Sequence, residues 1–234
     1  MTAADEALLR PVRTGNAFEE TVERLLGIIK LGVVGVGERL PSERELATRL
    51  GVARVTLRDA IRALAEAGFV ESRRGRYGGT FVTEPRHTPV RRRDPRPAEE
   101  VADTLLLRDV LETGAAAAAA LRTLAPHQRR ELRDRLAETD GAELAEYRRK
   151  DSRLHLAIAE ATGSASLTTA VAEARMRINE LLDEIPLLPP NIGHSNAQHE
   201  AIVAAILGGD PEGARRAMAE HLEGTGALLR GFLG

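Results

Sequence analysis

Apolar residues recur at helical spacing along most of this chain, and glycine or proline separates one such segment from the next. Segment 16–32 predicts a first helix, because its apolar side chains fall on one stripe: Phe18, Val22, Leu25, Leu26 and Ile29. Ser42 and Glu45 form a capping-box pattern that opens a second, short helix, which Gly51 ends. A third helix follows and stops at Gly68, with an apolar face of Leu57, Ile61 and Leu64.

Two β-prone stretches come next, "FVES" and "GTFV", and the glycine-containing loop "RRGRYG" separates them. This pattern predicts a β-hairpin after the three helices. Two short helices joined by a tight turn with glycine make a helix-turn-helix, whose second helix fits the major groove of DNA. The hairpin would be its wing, a loop that approaches DNA beside the recognition helix. The amino-terminal part is therefore predicted to be a winged helix-turn-helix.

The stretch 83–97, "TEPRHTPVRRRDPRP", is rich in proline and arginine and has almost no apolar residue, so it predicts an extended linker. From residue 98 onward, helical patterns follow one another between glycine or proline breaks, and no segment predicts a strand. We therefore expect a DNA-binding domain at 1–82, a linker at 83–97 and an all-helical domain at 98–234. The expected fold class is mainly α, with a small β-hairpin in the first domain and a helical bundle in the second.

Charge is unevenly distributed, although the net charge of the chain is only −2. Lys and Arg number 13 against 11 Asp and Glu in 1–83, 5 against 2 in 84–97, and 15 against 22 in 98–234. A basic segment suits a polyanionic partner, and the acidic remainder does not. The chain has no cysteine for a disulfide or a thiolate metal site, and no apolar run long enough to cross a membrane. We expect a cytoplasmic protein with no membrane partner.

Arginines lie on the polar side of the predicted recognition helix and in the hairpin loop. Arg54 and Arg58 are one turn apart, away from the apolar face, and a planar guanidinium group suits paired contacts with guanine or phosphate. Thr56 could reach a phosphate or a thymine methyl group. The loop would bring further charge to phosphates through Arg73, Arg74 and Arg76. These arginines could instead form a solvated surface, but their combination with the helix-turn-helix order favours DNA binding.

The segment "GVGERLPSERELATRLGVARVTLRDAIRALAEAGFVESRRGRYGGTFV" resembles the signature of the GntR family of bacterial transcription regulators. The resemblance implies DNA contacts from the second helix, the third helix and the wing, at Arg44, Arg54, Thr56, Arg58 and Gly75 with its neighbours. One position departs from the family pattern. Ala53 stands where Ser or Thr is usual, so a side-chain cap for the recognition helix is missing.

In the predicted helical domain, four potential metal ligands fall on apolar stripes. Asp151 and His155 lie one turn apart in one helix, and His199 and His221 lie on the apolar faces of two later helices. A buried carboxylate needs a cation or strong donors, because an unpaired charge in an apolar interior is costly. Together the four predict an octahedral or five-coordinate site for Zn²⁺, Ni²⁺ or Mn²⁺, with positions left for water or a ligand. Each histidine could instead be an ordinary core residue, and the spacing alone leaves both interpretations open.

The helical half resembles the FCD domain of the FadR subfamily of GntR regulators. The segments "DSRLH", "AIAEATGS" and "QHEAIVAAILGGDPEGARRAMAEHL" match those that supply metal ligands there, which implies the set Asp151, His155, His199 and His221. The resemblance also implies a small organic acid effector whose carboxylate meets an arginine on the first helix of the domain, here Arg108. Asn179 and Arg175 are further candidates by their polarity alone. The alternative for Arg108 is an intrahelical ion pair with Glu112, one turn later.

These features predict a DNA-binding transcriptional regulator, a repressor, that acts as a homodimer on double-stranded operator DNA and responds to a small carboxylate at a metal site. Two alternatives remain open: a metal-responsive regulator with no organic effector, and a metal-dependent hydrolase fused to a DNA-binding domain. The hydrolase has little support, because the chain contains no His-Glu-x-x-His pattern, nucleophile elbow, P-loop or Rossmann fingerprint. We therefore expect no enzymatic activity.

Overall fold

The computed structural model describes residues 11–12, 15–75, 78–83 and 97–234, and within them the chain forms nine helices and one two-stranded sheet. The amino-terminal elements are α1 Ala17–Lys30, α2 Glu43–Leu50, α3 Arg54–Glu66, β1 Val70–Arg73 and β2 Gly79–Val82. The remaining elements are α4 Ala98–Ala120, α5 Pro126–Asp140, α6 Tyr147–Ala161, α7 Ala165–Leu182, α8 Pro189–Gly208 and α9 Pro211–Leu233. The mainly helical fold class and the position of the hairpin agree with the prediction. Most of the predicted linker, 84–96, lies outside the described residues.

The chain divides into two compact units. The first contains the described residues up to 83 together with Glu184–Asn191 and Gly224–Gly234, and the second contains Pro97–Asp183 and Ile192–Glu223. The two late segments that group with the first unit come from the part of the sequence that we expected to lie wholly in the second domain. No helix in the described part of the chain combines the length and the apolar character needed to cross a membrane.

Local signals in the sequence set the ends of the helices in the first unit. Ser42 caps α2 by accepting a hydrogen bond from the backbone N–H of Glu45 at 3.3 Å, and Gly51 ends the helix with a φ of +66°. A turn of residues 51–53 leads into α3, where Ala53 provides no side-chain cap, as the sequence predicted. α3 contacts both α1 and α2 and buries Leu57, Ala60, Ile61 and Leu64. Its polar side is therefore left for a partner.

The hairpin packs on α3 through β1. β1 and β2 pair in antiparallel register, with Val70 opposite Val82. Arg39 forms an isolated bridge with Phe81, so the segment before α2 is held against the hairpin. In the hairpin loop Gly75 has a φ of +106°, a backbone conformation that favours glycine. The hairpin thus occupies the place in the fold that the sequence assigned to a wing.

The carboxyl-terminal end of α9 also belongs to the first unit, where it packs against α1. Lys30 Nζ donates hydrogen bonds to the carbonyl oxygens of Phe232 and Gly234, at 2.7 and 2.8 Å. Arg230 forms an ion pair with Glu23 at 3.0 Å. These contacts join α1 to the end of α9, a pairing that the sequence pattern of α1 did not indicate.

The core of the second unit is made of alanine and branched apolar side chains from α4, α5, α6, α8 and α9. The alanine run of α4 contributes Ala116, Ala119 and Ala120, whose small side chains let neighbouring helices approach closely. Between 97 and 234 the described residues form helices and no strand, as predicted. Charged side chains are nonetheless buried in this unit: Arg108, Glu112, Asp151 and Arg175. Buried charges need specific partners, so they mark the part of the unit where function is expected.

Candidate metal centre and nucleic-acid interface

A groove in the first unit brings the start of the recognition helix α3 together with α2 and the hairpin. Its cavity has a volume of about 360 Å³, and four of the residues that line it are arginines: Arg39, Arg44, Arg54 and Arg73. All four are exposed, so the groove has the positive character that attracts a phosphate backbone. Arg39 was not among the predicted DNA-binding residues; its strand bridge with Phe81, which no local pattern indicates, holds it beside the hairpin.

The arginines of α2 and α3 differ in how they are paired. Arg58 Nε donates to Glu43 at 2.9 Å, an ion pair that ties the recognition helix to α2 on the exposed surface. Arg44 and Arg54 make no ion pair with the described residues, so both guanidinium groups are available to an external anion. Thr56, on α3, is half-buried. Among the described residues, α2 and the recognition helix thus each present one arginine without an ion pair at the groove, Arg44 and Arg54.

The hairpin adds further cationic groups at the edge of the same unit. Arg73 lies over the ring of Phe81, 4.4 Å from the ring centre, which holds its side chain along the hairpin. Arg74 and Gly75 are exposed at the loop, as expected for residues that approach DNA. Arg76, which the sequence also implicated, lies outside the described residues.

In the second unit, four side chains converge from three helices. Asp151 and His155 come from α6, His199 from α8 and His221 from α9, and one potential ligand atom of each lies within 4.8 Å of the others. His199 Nε2 is 3.2 Å from Asp151 Oδ1 and 3.2 Å from His221 Nε2. His155 Nε2 is 3.7 Å from Asp151 Oδ1. The structure therefore brings together all four candidate ligands that the sequence singled out; we call them the ligand cluster.

The ligand cluster is almost completely removed from solvent. Asp151 is 8% exposed, and each histidine is 3% exposed or less. On α6 the two ligands turn inward because they lie one helical turn apart, beside the core residues Leu154 and Ile158. Their burial follows from the same helical periodicity that buries the apolar residues.

A layer of buried charges surrounds the ligand cluster. Glu112 on α4 contacts His155 Nδ1 through Oε2 and accepts a hydrogen bond from Arg108 Nε through Oε1, at 3.0 Å. Arg175 on α7 donates to Asp151 Oδ2, and its Nη1 is 3.9 Å from Glu112 Oε1. The Arg108–Glu112 pair that the sequence allowed as an alternative is thus present, but it lies in the interior, where a charge pair is not weakened by solvent.

The second ring nitrogens of the three histidines have different surroundings. His155 Nδ1 faces a carboxylate. His221 Nδ1 lies 3.4 Å from Ser195 Oγ and 3.3 Å from Gln198 Oε1, both of which are neutral groups. His199 Nδ1 has no hydrogen-bond partner among the described residues. In each ring the Nε2 atom is the one that faces the ligand cluster.

Burial and charge set the ionisation of the ligand cluster. Burial, which disfavours the imidazolium form, lowers the pKa of His155 and of His221. Burial acts against ionisation of Asp151 as well, but the charge of Arg175 outweighs it and holds the pKa of Asp151 well below its usual value. These directions favour an ionised carboxylate on Asp151 and neutral rings on His155 and His221 at neutral pH, the forms that bind metal ions.

The donor atoms fit a first-row divalent metal ion. Imidazole nitrogen together with a carboxylate oxygen suits Zn²⁺, Ni²⁺ and Mn²⁺, the ions expected from the sequence. His155 Nε2 is buried and has no hydrogen-bond partner among the described residues, as expected of a lone pair that faces a cation. The residues present are therefore compatible with a metal site.

The candidate effector residues lie next to the ligand cluster. Asn179, half-buried one turn after Arg175, donates to Ser152 Oγ at 3.0 Å, and the same oxygen accepts from Arg175 Nη2. Arg108 Nη1 and Arg175 Nε and Nη1 are buried with no hydrogen-bond acceptor among the described residues. From the sequence, Glu112 was predicted only as a possible partner of Arg108. The signal for its burial was the alanine run, which follows it in the same helix.

Two known protein families match the chain. Residues 18–82 match the bacterial regulatory proteins of the gntR family, and residues 103–224 match the FCD domain. The first match extends from α1 through the hairpin, and the second contains the four residues of the ligand cluster. The two matches therefore coincide with the two sites described above.

Relatives match over most of the chain. A protein of Escherichia coli (strain K12) named for regulation of the L-lactate dehydrogenase operon is 30% identical over 227 residues, covering 92% of this chain and 86% of its own length. RmpR of Mycobacterium gastri, named as an HTH-type transcriptional regulator, is 34% identical over 220 residues, covering 86% of this chain and 76% of its own. The solved structure of E. coli McbR/YncC, 20% identical, covers 93% of this chain and 97% of its own with a TM-score of 0.53, which shows a shared fold.

Proposed function

This chain belongs to the gntR family of bacterial regulatory proteins and carries an FCD domain, and from that premise we propose how its binding to DNA is controlled. A divalent metal ion held by the ligand cluster, together with a small carboxylate beside it, changes the affinity of the winged helix-turn-helix for double-stranded operator DNA. The protein is a DNA-binding transcriptional regulator and not an enzyme. We propose that it acts as a repressor, as a homodimer, in the cytoplasm.

The DNA-reading role of individual residues is supported by their exposure and charge. Arg44 of α2 and Arg54 of α3 line one groove and have no ion pair among the described residues. Arg58 follows Arg54 one turn later on the exposed side of α3, and Thr56 is half-buried between them in the sequence. Guanidinium groups at the start of a recognition helix are suited to base edges and phosphates. Arg74 and Gly75 would contact the backbone beside it. A two-fold symmetric dimer would read two half-sites of a palindromic operator.

The metal ion would be held by Asp151, His155, His199 and His221. When bound, it supplies a fixed positive charge and open coordination positions for oxygen ligands. Zn²⁺, Ni²⁺ and Mn²⁺ all suit this donor set. The residues contribute by holding four donor atoms together from three helices, α6, α8 and α9.

The carboxylate effector is supported chiefly by buried guanidinium nitrogens of Arg108 and Arg175 that have no hydrogen-bond acceptor among the described residues. Buried donors are normally hydrogen-bonded, so these atoms are suited to an anionic ligand. The charges of the two arginines are balanced by Glu112 and Asp151, and a divalent ion would therefore add positive charge that these four side chains do not neutralise. An anion beside the metal reduces that excess. Asn179 would contribute a neutral polar contact at the edge of this region.

The name of the E. coli relative makes L-lactate the first acid to test. An α-hydroxy acid has a carboxylate and a neighbouring hydroxyl oxygen, so one small molecule can engage both a metal ion and a guanidinium group. Aromatic residues make up only 3% of the chain, which favours a small polar ligand over an aromatic one.

The test measures DNA affinity with the full-length protein. A DNA fragment selected by the protein from a random-sequence library is titrated by fluorescence anisotropy, with the protein metal-free, Zn²⁺-loaded, and Zn²⁺-loaded with L-lactate, D-lactate, pyruvate, acetate or citrate. We expect one acid to change the Kd by about 5- to 150-fold, the usual range of allosteric coupling. Arg108→Gln should abolish the response to that acid and retain Zn²⁺ binding. Arg153→Gln, an exposed arginine of α6, is the matched control.

The alternatives give different results. A DNA affinity that responds to Zn²⁺ but to none of the acids would identify a metal-responsive regulator. A response to acid that persists in Arg108→Gln would remove that residue from the effector site. DNA affinity that is unchanged by metal and acid would leave a DNA-binding regulator with no role for the ligand cluster in its control.

A further inference from the structure

Glu112 contacts the candidate metal ligand His155 at Nδ1, the ring nitrogen that does not face the ligand cluster. We propose that Glu112 is a positioning residue of the metal site: it accepts a hydrogen bond from His155 Nδ1–H and so directs the Nε2 lone pair of this histidine toward the metal ion. The inference rests on the metal site proposed above and adds to it a residue from α4, which contributes no ligand.

The contact determines which nitrogen of the ring is free. Glu112 Oε2 lies against His155 Nδ1, and the two residues are 1% and 2% exposed. An ionised carboxylate can only accept hydrogen bonds, so Nδ1 must carry the hydrogen; in the neutral ring, the form that binds metal ions, Nε2 then carries the lone pair. Metal-bound histidines commonly donate their second N–H to a carboxylate in this way, which fixes the ring and strengthens it as a ligand.

Glu112 is itself held in place. Its other carboxylate oxygen, Oε1, accepts from Arg108 Nε at 3.0 Å and lies 3.9 Å from Arg175 Nη1. Side chains from α4, α6 and α7 thus restrain both oxygens, and Glu112 cannot turn away from His155 without leaving two buried cations short of a partner. A ligand supported by such a locked neighbour is held in a single geometry.

His155 differs from the other two histidines in having a charged partner at Nδ1. His221 Nδ1 faces the neutral groups of Ser195 and Gln198, and His199 Nδ1 has no hydrogen-bond partner among the described residues. An anionic acceptor raises the electron density of the ring more than a neutral acceptor does. Removing the charge of Glu112 should therefore weaken metal binding although no ligand is changed.

The first experiment measures the Zn²⁺ affinity of the full-length protein by competition with a chromophoric chelator. Glu112→Gln keeps the size of the side chain and removes its charge. We expect it to weaken Zn²⁺ binding by about 10- to 100-fold, the usual effect of losing such a partner. Glu99→Gln, an exposed glutamate on the same helix, is the matched control and should bind like the wild type. Equal Zn²⁺ affinity in Glu112→Gln and wild type would overturn the proposal.

A second variant separates positioning from charge balance. Glu112→Gln alone leaves one excess positive charge beside the ligand cluster, which would itself repel a cation. The double variant Arg108→Gln/Glu112→Gln restores the charge balance and still lacks the anionic partner of His155. We expect its Zn²⁺ affinity to remain as weak as that of Glu112→Gln. Recovery to the wild-type affinity would show that Glu112 acts only through net charge.

NMR of the histidine rings in the metal-free protein gives a readout that a purely structural role would not change. In the wild type, the His155 ring should be a single tautomer with its hydrogen on Nδ1; His155→Gln identifies the signal. Glu112→Ala removes the acceptor, so the ring should no longer be confined to that tautomer. An unchanged tautomer would contradict the proposal. A wild-type protein that binds no Zn²⁺ would instead overturn the metal site itself, and the positioning role with it.

Discussion

The Nε2 atoms of His199 and His221 lie 3.2 Å apart in the interior of the second unit. Two imidazole nitrogens at this distance form a hydrogen bond only if one of them carries a hydrogen, whereas a shared divalent ion satisfies both lone pairs. One ring comes from α8 and the other from α9. Metal binding should therefore hold these helices together and stabilise the folded protein.

Zn²⁺ should raise the midpoint of thermal unfolding of the full-length protein. A ligand that binds only the folded state stabilises it by about 2.7 kcal/mol at a concentration of about 100 times its Kd. His199→Ala should remove most of this increase, because it deletes a central donor. His127→Ala, which changes an exposed histidine outside the cluster, should retain it. Calorimetry with and without Zn²⁺ measures the effect, and an equal increase in wild type and His199→Ala would contradict the assignment.

Acidification should destabilise the metal-free protein. Burial lowers the pKa of His155 and His221 from the ordinary 6.5, so the unfolded chain binds more protons than the folded chain below that pH. The free energy of unfolding should therefore be highest near neutral pH and fall as the pH decreases through about 6.5. Urea denaturation across this interval measures it. His221→Gln should reduce the slope and His127→Gln should not; a free energy that stays level through the interval would refute the prediction.

The two halves of the recognition helix should differ in their importance for DNA binding. Arg54→Ala should raise the Kd for the selected DNA by about 5- to 150-fold, because a lost bidentate contact costs about 1–3 kcal/mol. Arg62→Ala, an exposed arginine near the other end of α3, should have a much smaller effect. Anisotropy titrations at one fixed salt concentration compare the two variants. Similar losses in both would indicate that α3 contributes only general positive charge.

The close packing of α9 on α1 predicts opposite effects of two glycine substitutions. A Cβ at Gly231 would lie 2.9 Å from the Glu23 backbone, whereas a Cβ at Gly114 in α4 would meet nothing within 4 Å. Gly231→Ala should destabilise the protein by about 1–3 kcal/mol through overpacking. Gly114→Ala should stabilise it by up to about 1 kcal/mol, because alanine favours helix. Denaturant unfolding measures both; a stabilising Gly231→Ala would show that the helices do not meet closely.

Much of the fold could be predicted because its signals are local. The cap at Ser42 and the glycine at Gly51 determine the ends of α2 through contacts within one turn. The periodicity of α6 predicted that Asp151 and His155 would both face inward, as they do. The carboxyl-terminal half of α9 was less predictable. The spacing of its apolar residues predicts a helix. That spacing does not indicate that the helix packs on α1, which lies about 200 residues earlier in the chain.

The sequence by itself determined the order of helices and strands, the position of the recognition helix, and the inward direction of the four ligand-cluster residues, because capping and helical periodicity depend on neighbouring residues. Only the tertiary structure decided which atoms meet. Glu112 and His155 are 43 positions apart, and Asp151 and Arg175 are 24 apart, so their contacts depend on how α4, α6 and α7 pack. Helix packing brings together charged residues that no local pattern pairs, and these residues surround the candidate metal site.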